Sequence, residues 1–225
     1  LVVKGSQEAG KNLVSYVFSP DELNNAFETI QKDPSQKGAL PMIQEYVKGT
    51  GLGFFAYYQQ GELKRFYMHR RLREYPVKGG SATAAETYFH KGAFLEGKKL
   101  LDKLQWNGPC MVEFKYDLET GVFKLLEINP KFWGSLELGL KAGLNFGEYL
   151  IASLKKENLT PCLFPNYPPI KFYWPFDGDI RGILEQKKIL SLLDYCKGNY
   201  STNRKTLGFR LSVLRFVNQM RRTLL

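Results

Sequence analysis

The chain has 225 residues, with 32 Lys and Arg against 22 Asp and Glu, a formal net charge of +10 and 44% hydrophobic residues. That balance supports an ordinary core, excludes a disordered chain, and suits one large or two small domains. Three scattered cysteines, Cys110, Cys162 and Cys196, and two histidines, His69 and His90, exclude a disulfide framework, a cysteine-rich zinc site and a histidine cage, so carboxylates must carry any metal chemistry. No apolar run reaches the roughly 18 residues of a membrane span and no signal-peptide pattern opens the chain, so a soluble protein of the reducing cytoplasm is expected.

The chain opens on Leu1-Val2-Val3-Lys4, a strand-type run that reads as the inside of an element, so a fragment lacking upstream residues is expected. A polar loop with Gly5 and Gly10 follows, and then a β-rich run over 13–18. Ser19-Pro20-Asp21-Glu22 predicts a helix start: Ser19 as N-cap, Pro20 at the first helical position and Glu22 closing a capping box. Leu23, Ala26, Phe27 and Ile30 at helical spacing lay one apolar face on a sheet. A strand is predicted over 42–47, and a hairpin from 54–58 and 63–68 around Gln60-Gly61. The stretch 70–85, with Arg70, Arg71 and Arg73 near Gly79-Gly80-Ser81, reads as loop. Helices are predicted over 93–104, 136–142, 146–156 and 179–197. Pro161, Pro165, Pro168 and Pro169 mark an extended crossing, which divides the chain into a domain over 1–157 and an extension over 158–225. The fold class is α+β.

The richest stretch is the pair of runs 110–117 and 122–129. With Glu119, Thr120 and Gly121 as a three-residue turn and Gly121 in the left-handed position, paired residue numbers sum to 240, which sets Glu113 opposite Glu127. Facing residues share one side of a sheet, and Asn129, two positions on, shares it too. Two carboxylates side by side repel, and a divalent cation resolves the conflict. Mg²⁺ suits the set, because it takes one or two carboxylates from protein and fills its shell with water and substrate phosphates.

The strand Leu126-Glu127-Ile128-Asn129-Pro130-Lys131-Phe132-Trp133-Gly134, with Val112-Glu113-Phe114 before it, resembles the ATP-grasp superfamily, whose members carry an acidic residue on one late strand and a Glu-x-Asn motif on the next. Val2-Val3-Lys4 before a small-residue loop is similar to the family's phosphate-binding lysine strand, and Ile43-Gln44-Glu45-Tyr46-Val47 to its adenine hinge. The resemblance covers roughly residues 1–152 and lies nearer the carbamoyl-phosphate-synthase-like and carboxylate-amine ligase branches than biotin carboxylase. It implies two α+β lobes holding ATP between antiparallel sheets, here N-terminally truncated and carrying a C-terminal helical extension. Lys4 is then a ligand of the nucleotide phosphates, Gln44, Glu45, Tyr46 and Val47 meet adenine, and Glu113, Glu127 and Asn129 hold Mg²⁺, with Mn²⁺ as a substitute. Lys131 stands where relatives often have arginine, which keeps the charge and loses the planar fork. Arg70 and Arg71 end a strand and are expected to reach the γ-phosphate or an acidic substrate. No carboxylate follows the hinge, so the ribose contact is unassigned.

The resemblance implies an ATP- and Mg²⁺-dependent ligase acting on small-molecule carboxylate and amine substrates. The competing reading is a non-catalytic nucleotide-binding module, or one that docks on an anionic polymer or membrane through the basic segment from Arg204 to Arg222, whose Leu207, Leu211, Leu214 and Val217 alternate with the charges. No zinc finger, RNA-binding aromatic signature or recognition helix points to specific nucleic acid binding.

Overall fold

The computed structural model describes residues 1–7, 13–77, 79–162, 164–196 and 200–202. It divides into two compact units that meet in sequence at Lys48 and Gly49. The expected boundary at 157/158 marks no break, because residues beyond it enter the sheet of the second unit. The basic segment from Arg204 to Arg222 lies outside the described residues.

The first unit is a three-stranded antiparallel sheet in the order β2-β1-β3, from β1 (Val2–Lys4), β2 (Val14–Tyr16) and β3 (Met42–Gln44). Helix α1 (Pro20–Gln31) begins as the sequence requires. Ser19 Oγ accepts from the Glu22 amide at 3.2 Å, while the Glu22 carboxylate reaches one residue further back than a standard box, to the Phe18 amide at 2.7 Å. Its apolar face, Leu23, Ala26, Phe27 and Ile30, packs on Val3 and Val17. Strand β3 stops at Gln44, three residues short of the predicted end, so Glu45, Tyr46 and Val47 lie beyond the ladder.

The second unit is a seven-stranded sheet in the order β10-β9-β6-β5-β4-β7-β8. Its members are β4 (Gly49–Gln59), β5 (Glu62–Tyr75), β6 (Ser81–Thr87), β7 (Gly108–Asp117), β8 (Phe123–Asn129), β9 (Lys171–Tyr173) and β10 (Tyr200–Thr202). All described pairings are antiparallel except β9 with β10. The predicted loop over 70–85 is corrected here. Strand β5 runs on to Tyr75 and pairs with β6, passing over Leu72 as a bulge. Alternation in β4 sends Leu52, Phe54, Ala56 and Tyr58 to one face, where Ala93, Phe94 and Leu101 of α2 (Lys91–Lys103) cover them. Phe55 and Tyr57 go to the other face, among Tyr67, Trp133, Leu138, Phe146 and Phe172. That layer is capped by α3 (Leu136–Lys141) and α4 (Phe146–Leu154). Each large side chain so buried contributes roughly 1.5–3 kcal/mol.

The predicted helix over 179–197 breaks in two. Helix α5 (Asp179–Glu185) ends near Lys187, whose φ of 56° is left-handed, and a 3₁₀ run covers Ile189–Cys196. This segment is tied to β5 by a charge cluster. The Arg73 guanidinium forks onto Asp179 through Nε–Oδ1 and Nη2–Oδ2, both 2.8 Å, and reaches Asp194 at 2.7 Å. Thr83 Oγ1 and Tyr195 Oη also donate to Asp179, whose side chain is fully buried.

Two outcomes follow from this packing. Removing the carboxylate that forks onto Arg73 leaves this half-buried guanidinium with Asp194 alone, so Asp179→Ala should lower the unfolding free energy by about 1.5–3 kcal/mol in chemical denaturation, as for lost hydrogen bonds to a charged group. Burial pushes the Cys110 thiol up to about 12. Iodoacetamide at pH 8 should therefore modify Cys196, which is exposed, and reach Cys110 only once the chain unfolds, as peptide mass mapping would show.

Candidate functional site

In the first unit, β1 alternation turns Val3 toward α1 and leaves Lys4 on the opposite face. Val2 pairs with Gln44 and Lys4 with Met42, so Lys4 and Gln44 share the face that α1 does not cover. The turn after Lys4 is anchored. Buried Gln36 accepts from the Gln7 amide at 3.1 Å and donates to the Gln7 carbonyl at 3.2 Å, while Ser6 Oγ donates to the Leu40 carbonyl. Glu45 and Tyr46 are exposed, and Tyr46 meets Tyr16 edge to face at 5.7 Å.

In the second unit, cross-strand rows on one face of the sheet define the candidate site. Core row Asn129, Met111, Phe55 and Tyr67 is followed by Glu127, Glu113, Gly53 and His69, and then by the row holding Lys124, Lys115 and Gly51. Glu113 and Glu127 are direct cross-strand partners, as predicted, but the register arises differently. Nearer the turn the pairs sum to 239, as in Phe114 with Leu125 and Tyr116 with Phe123, and a bulge that passes over Leu126 restores 240 at Glu113. The turn is closed by a bond between the Gly121 amide and the Asp117 carbonyl, with Gly121 left-handed at φ 70°.

The two carboxylates differ in setting. Glu113 is 7% exposed, whereas Glu127, on the edge strand, is exposed and accepts from Asn129 Nδ2 at 2.7 Å. Burial raises the Glu113 carboxyl above its ordinary range, Arg71 pulls it back, and Glu127 and Glu74 push it further up. Arg71 Nη2 meets Glu113 Oε1 at 2.6 Å, and its Nη1 reaches the Gly80 carbonyl at 3.0 Å and Glu74 at 3.2 Å. Gly51 of β4 makes room for this crossing, and Gly53 for the Phe55 ring. A Cβ on Gly51 would come within 3.0 Å of the Arg71 side chain, and one on Gly53 would sit 2.4 Å from the Phe55 ring. These alternating glycines are thus the bare floor of the site.

Arg70 is not brought to the carboxylates. It pairs with Leu52, which lies on the α2 face, binds Glu86, and stacks over the Tyr88 ring at 4.6 Å. Of the two arginines expected to act, the one that meets Glu113 is Arg71, with Lys115 of β7 on the same face; Lys115 carries no motif signal in the sequence and is placed there by the strand pairing. Lys131 follows the Glu-x-Asn strand and is exposed. His69, in the Glu113 row, is buried, and desolvation aided by Arg71 lowers its basicity to about 3, so the imidazole is neutral at physiological pH. Among the described residues, no group of three or more His, Cys, Asp and Glu could cage a metal. Two carboxylates and an amide oxygen are instead the small, hard set that a phosphate-bound Mg²⁺ needs, so the residues fit that ion.

No family model matches the chain and no curated protein matches it by sequence. Solved structures do resemble it. The biotin carboxylase domain of Hydrogenobacter thermophilus 2-oxoglutarate carboxylase, held with MgADP, ADP and bicarbonate, is 12% identical with a TM-score of 0.60 over 74% of this chain and 39% of that one. N5-carboxyaminoimidazole synthetase from Staphylococcus aureus, complexed with ADP, is 13% identical with a TM-score of 0.59 over 85% and 50%. L-amino acid ligase from Bacillus licheniformis is 17% identical with a TM-score of 0.53 over 71% and 41%. The chain spans half or less of the length of each of these structures. At 12–17% identity this likeness shows the fold alone, and that fold is the ATP-grasp fold.

Proposed function

We propose that the chain is part of an ATP- and Mg²⁺-dependent ligase that activates a substrate carboxylate as an acyl phosphate for attack by an amine or similar nucleophile. The observation that carries this reading is the cross-strand pair Glu113 and Glu127 with Asn129 on the same face. Support comes also from the neighbours, one of which holds MgADP and bicarbonate and another of which is an L-amino acid ligase.

In this reading Glu113, Glu127 and Asn129 hold Mg²⁺, which when bound neutralises charge on the β- and γ-phosphates. Lys4 supplies a point charge to the nucleotide phosphates, and Gln44 with the 45–47 segment receives adenine. Of Arg70 and Arg71, it is Arg71 that takes the expected part. It offers a planar fork to an acidic group, and its existing bonds to Glu113 and to the Gly80 carbonyl orient that fork. Lys131 adds a second cation for the acid. A substrate carboxylate oxygen attacks the γ-phosphorus and ADP departs with the bond electrons. The amine lone pair then attacks the acyl carbon, phosphate leaves, and the amine loses a proton. The work of the protein is placement and charge compensation, which requires no Ser-His or Cys-His pair.

Glu127→Gln should weaken MnADP binding, followed by electron paramagnetic resonance, by about 10–100-fold, the range typical of disrupted metal coordination shells. Affinity equal to wild type would refute the metal assignment. Lys4→Ala should weaken ATP binding about tenfold or more by calorimetry, as for a lost charge-assisted hydrogen bond. A wild-type chain that binds anionic vesicles or polymer in a salt-sensitive way, yet releases no ADP with any carboxylate and amine pair, would favour the docking module instead.

A further inference from the structure

Among the described residues strand β8 is an edge bonded to β7 alone, and its ladder ends at Asn129 opposite Met111. Pro130 follows and has no amide to donate, so the sheet does not dictate the path of 130–135, the segment that carries Lys131. A set of side chains outside the carboxylate cluster does. Trp133 is 7% exposed and its ring lies 4.7 Å from Phe55 and 4.9 Å from Phe146. Its indole can only donate, and Nε1 donates to Tyr67 Oη at 3.0 Å, which sends the Tyr67 hydroxyl hydrogen on to the Ser135 carbonyl at 3.2 Å. His69 Nε2 bonds the Ser135 hydroxyl at 2.8 Å. Two residues spaced by two on β5 therefore grip both polar atoms of one serine.

The position of that serine is informative. Ser135 is the residue before α3, where its hydroxyl would ordinarily cap the helix, and it makes no capping bond. The hydroxyl is committed to His69 instead. The imidazole in turn is buried with Nδ1 unpartnered and is stacked 4.4 Å from Phe55. A helix cap is forgone and a buried ring nitrogen is left without a bond, and an apolar residue at 69 would avoid both costs by freeing the Ser135 hydroxyl to cap.

We propose that His69 is a positioning residue which, through Ser135 and alongside Tyr67 and Trp133, fixes the 130–135 segment and so the placement of Asn129 and Lys131. The consequence for metal and nucleotide rests on the function proposed above, whereas the consequence for the segment does not.

The test uses His69→Phe, which keeps a ring and removes the bond, His69→Gln, whose amide can reach the Nε2 position, and Ser135→Ala, which cuts the same bond from the other end. Amide hydrogen exchange at Leu136 and Leu138, whose amides bond the Trp133 and Ser135 carbonyls, should speed up about tenfold in His69→Phe and Ser135→Ala and return toward wild type in His69→Gln, with exchange in β4 and β7 unchanged. MnADP affinity should fall by about tenfold in the first two and recover in the third. Unchanged exchange at those two amides in both bond-deleting variants overturns the proposal, as does faster exchange spread evenly over the sheet. If wild type binds no MnADP, the proposed function fails, and the exchange measurement still decides whether His69 positions the segment. Should His69→Phe fail to fold, Ser135→Ala carries both readouts.

Discussion

A carboxylate 7% exposed with a second carboxylate across the ladder requires a cation within hydrogen-bonding reach, and the strand order of the second unit meets that requirement. Glu113 stands on β7 and Arg71 on β5, with β4 between them. A side chain at the Gly51 position of β4 would press on Arg71 as it crosses, and glycine leaves that space open. The same guanidinium also bonds the Gly80 carbonyl, so the buried carboxylate and the turn between β5 and β6 are held by one group. Disturbing the ion pair therefore disturbs a loop as well as a charge.

The part of this arrangement legible in sequence was the hairpin, and it was legible through two compensating departures. The loop joining β7 to β8 gives pairs summing to 239, and the bulge at Leu126 adds one residue before Glu127 is reached. Bulges re-aim side chains at functional sites, and periodicity alone carries no sign of them. The start of α1 was legible because Ser19, Pro20 and Glu22 act within four residues of one another. The far half of β5 was not. Arg70, Arg71 and Arg73 resemble solvated loop when read locally, since, Glu74 apart, the acids that bind Arg71 and Arg73 are 42, 106 and 121 residues away. A strand that satisfies its charges at such range gives no local alternation to detect. The same blindness placed a domain boundary at 157, because the antiparallel pairing of β6 with β9 and the Arg73 cluster are again long-range facts.

The positive charge of the chain is unevenly spread. The last 29 residues hold seven Lys and Arg and no Asp or Glu, so the remainder is close to balance at about +3. Within that near-neutral part, most arginines of β5 are matched to acids: Arg70 to Glu86, Arg71 to Glu113 and Glu74, Arg73 to Asp179 and Asp194. Net charge thus says little about the candidate site, whose cations are selected by position and not by excess.

The two carboxylates divide their tasks by depth in the sheet. Glu113 belongs to the second strand from the edge, is covered, and is fixed by a guanidinium, so its orientation carries little entropy still to lose. Glu127 belongs to the edge strand, is exposed, and is steadied only by the neighbouring Asn129 amide. A pair of equally buried carboxylates would repel too strongly to stay ionised, and a pair of equally exposed ones would need ordering at the moment of binding. One of each gives an anchored ligand beside an accessible one, and placing the Glu-x-Asn strand at the sheet edge is what produces that asymmetry.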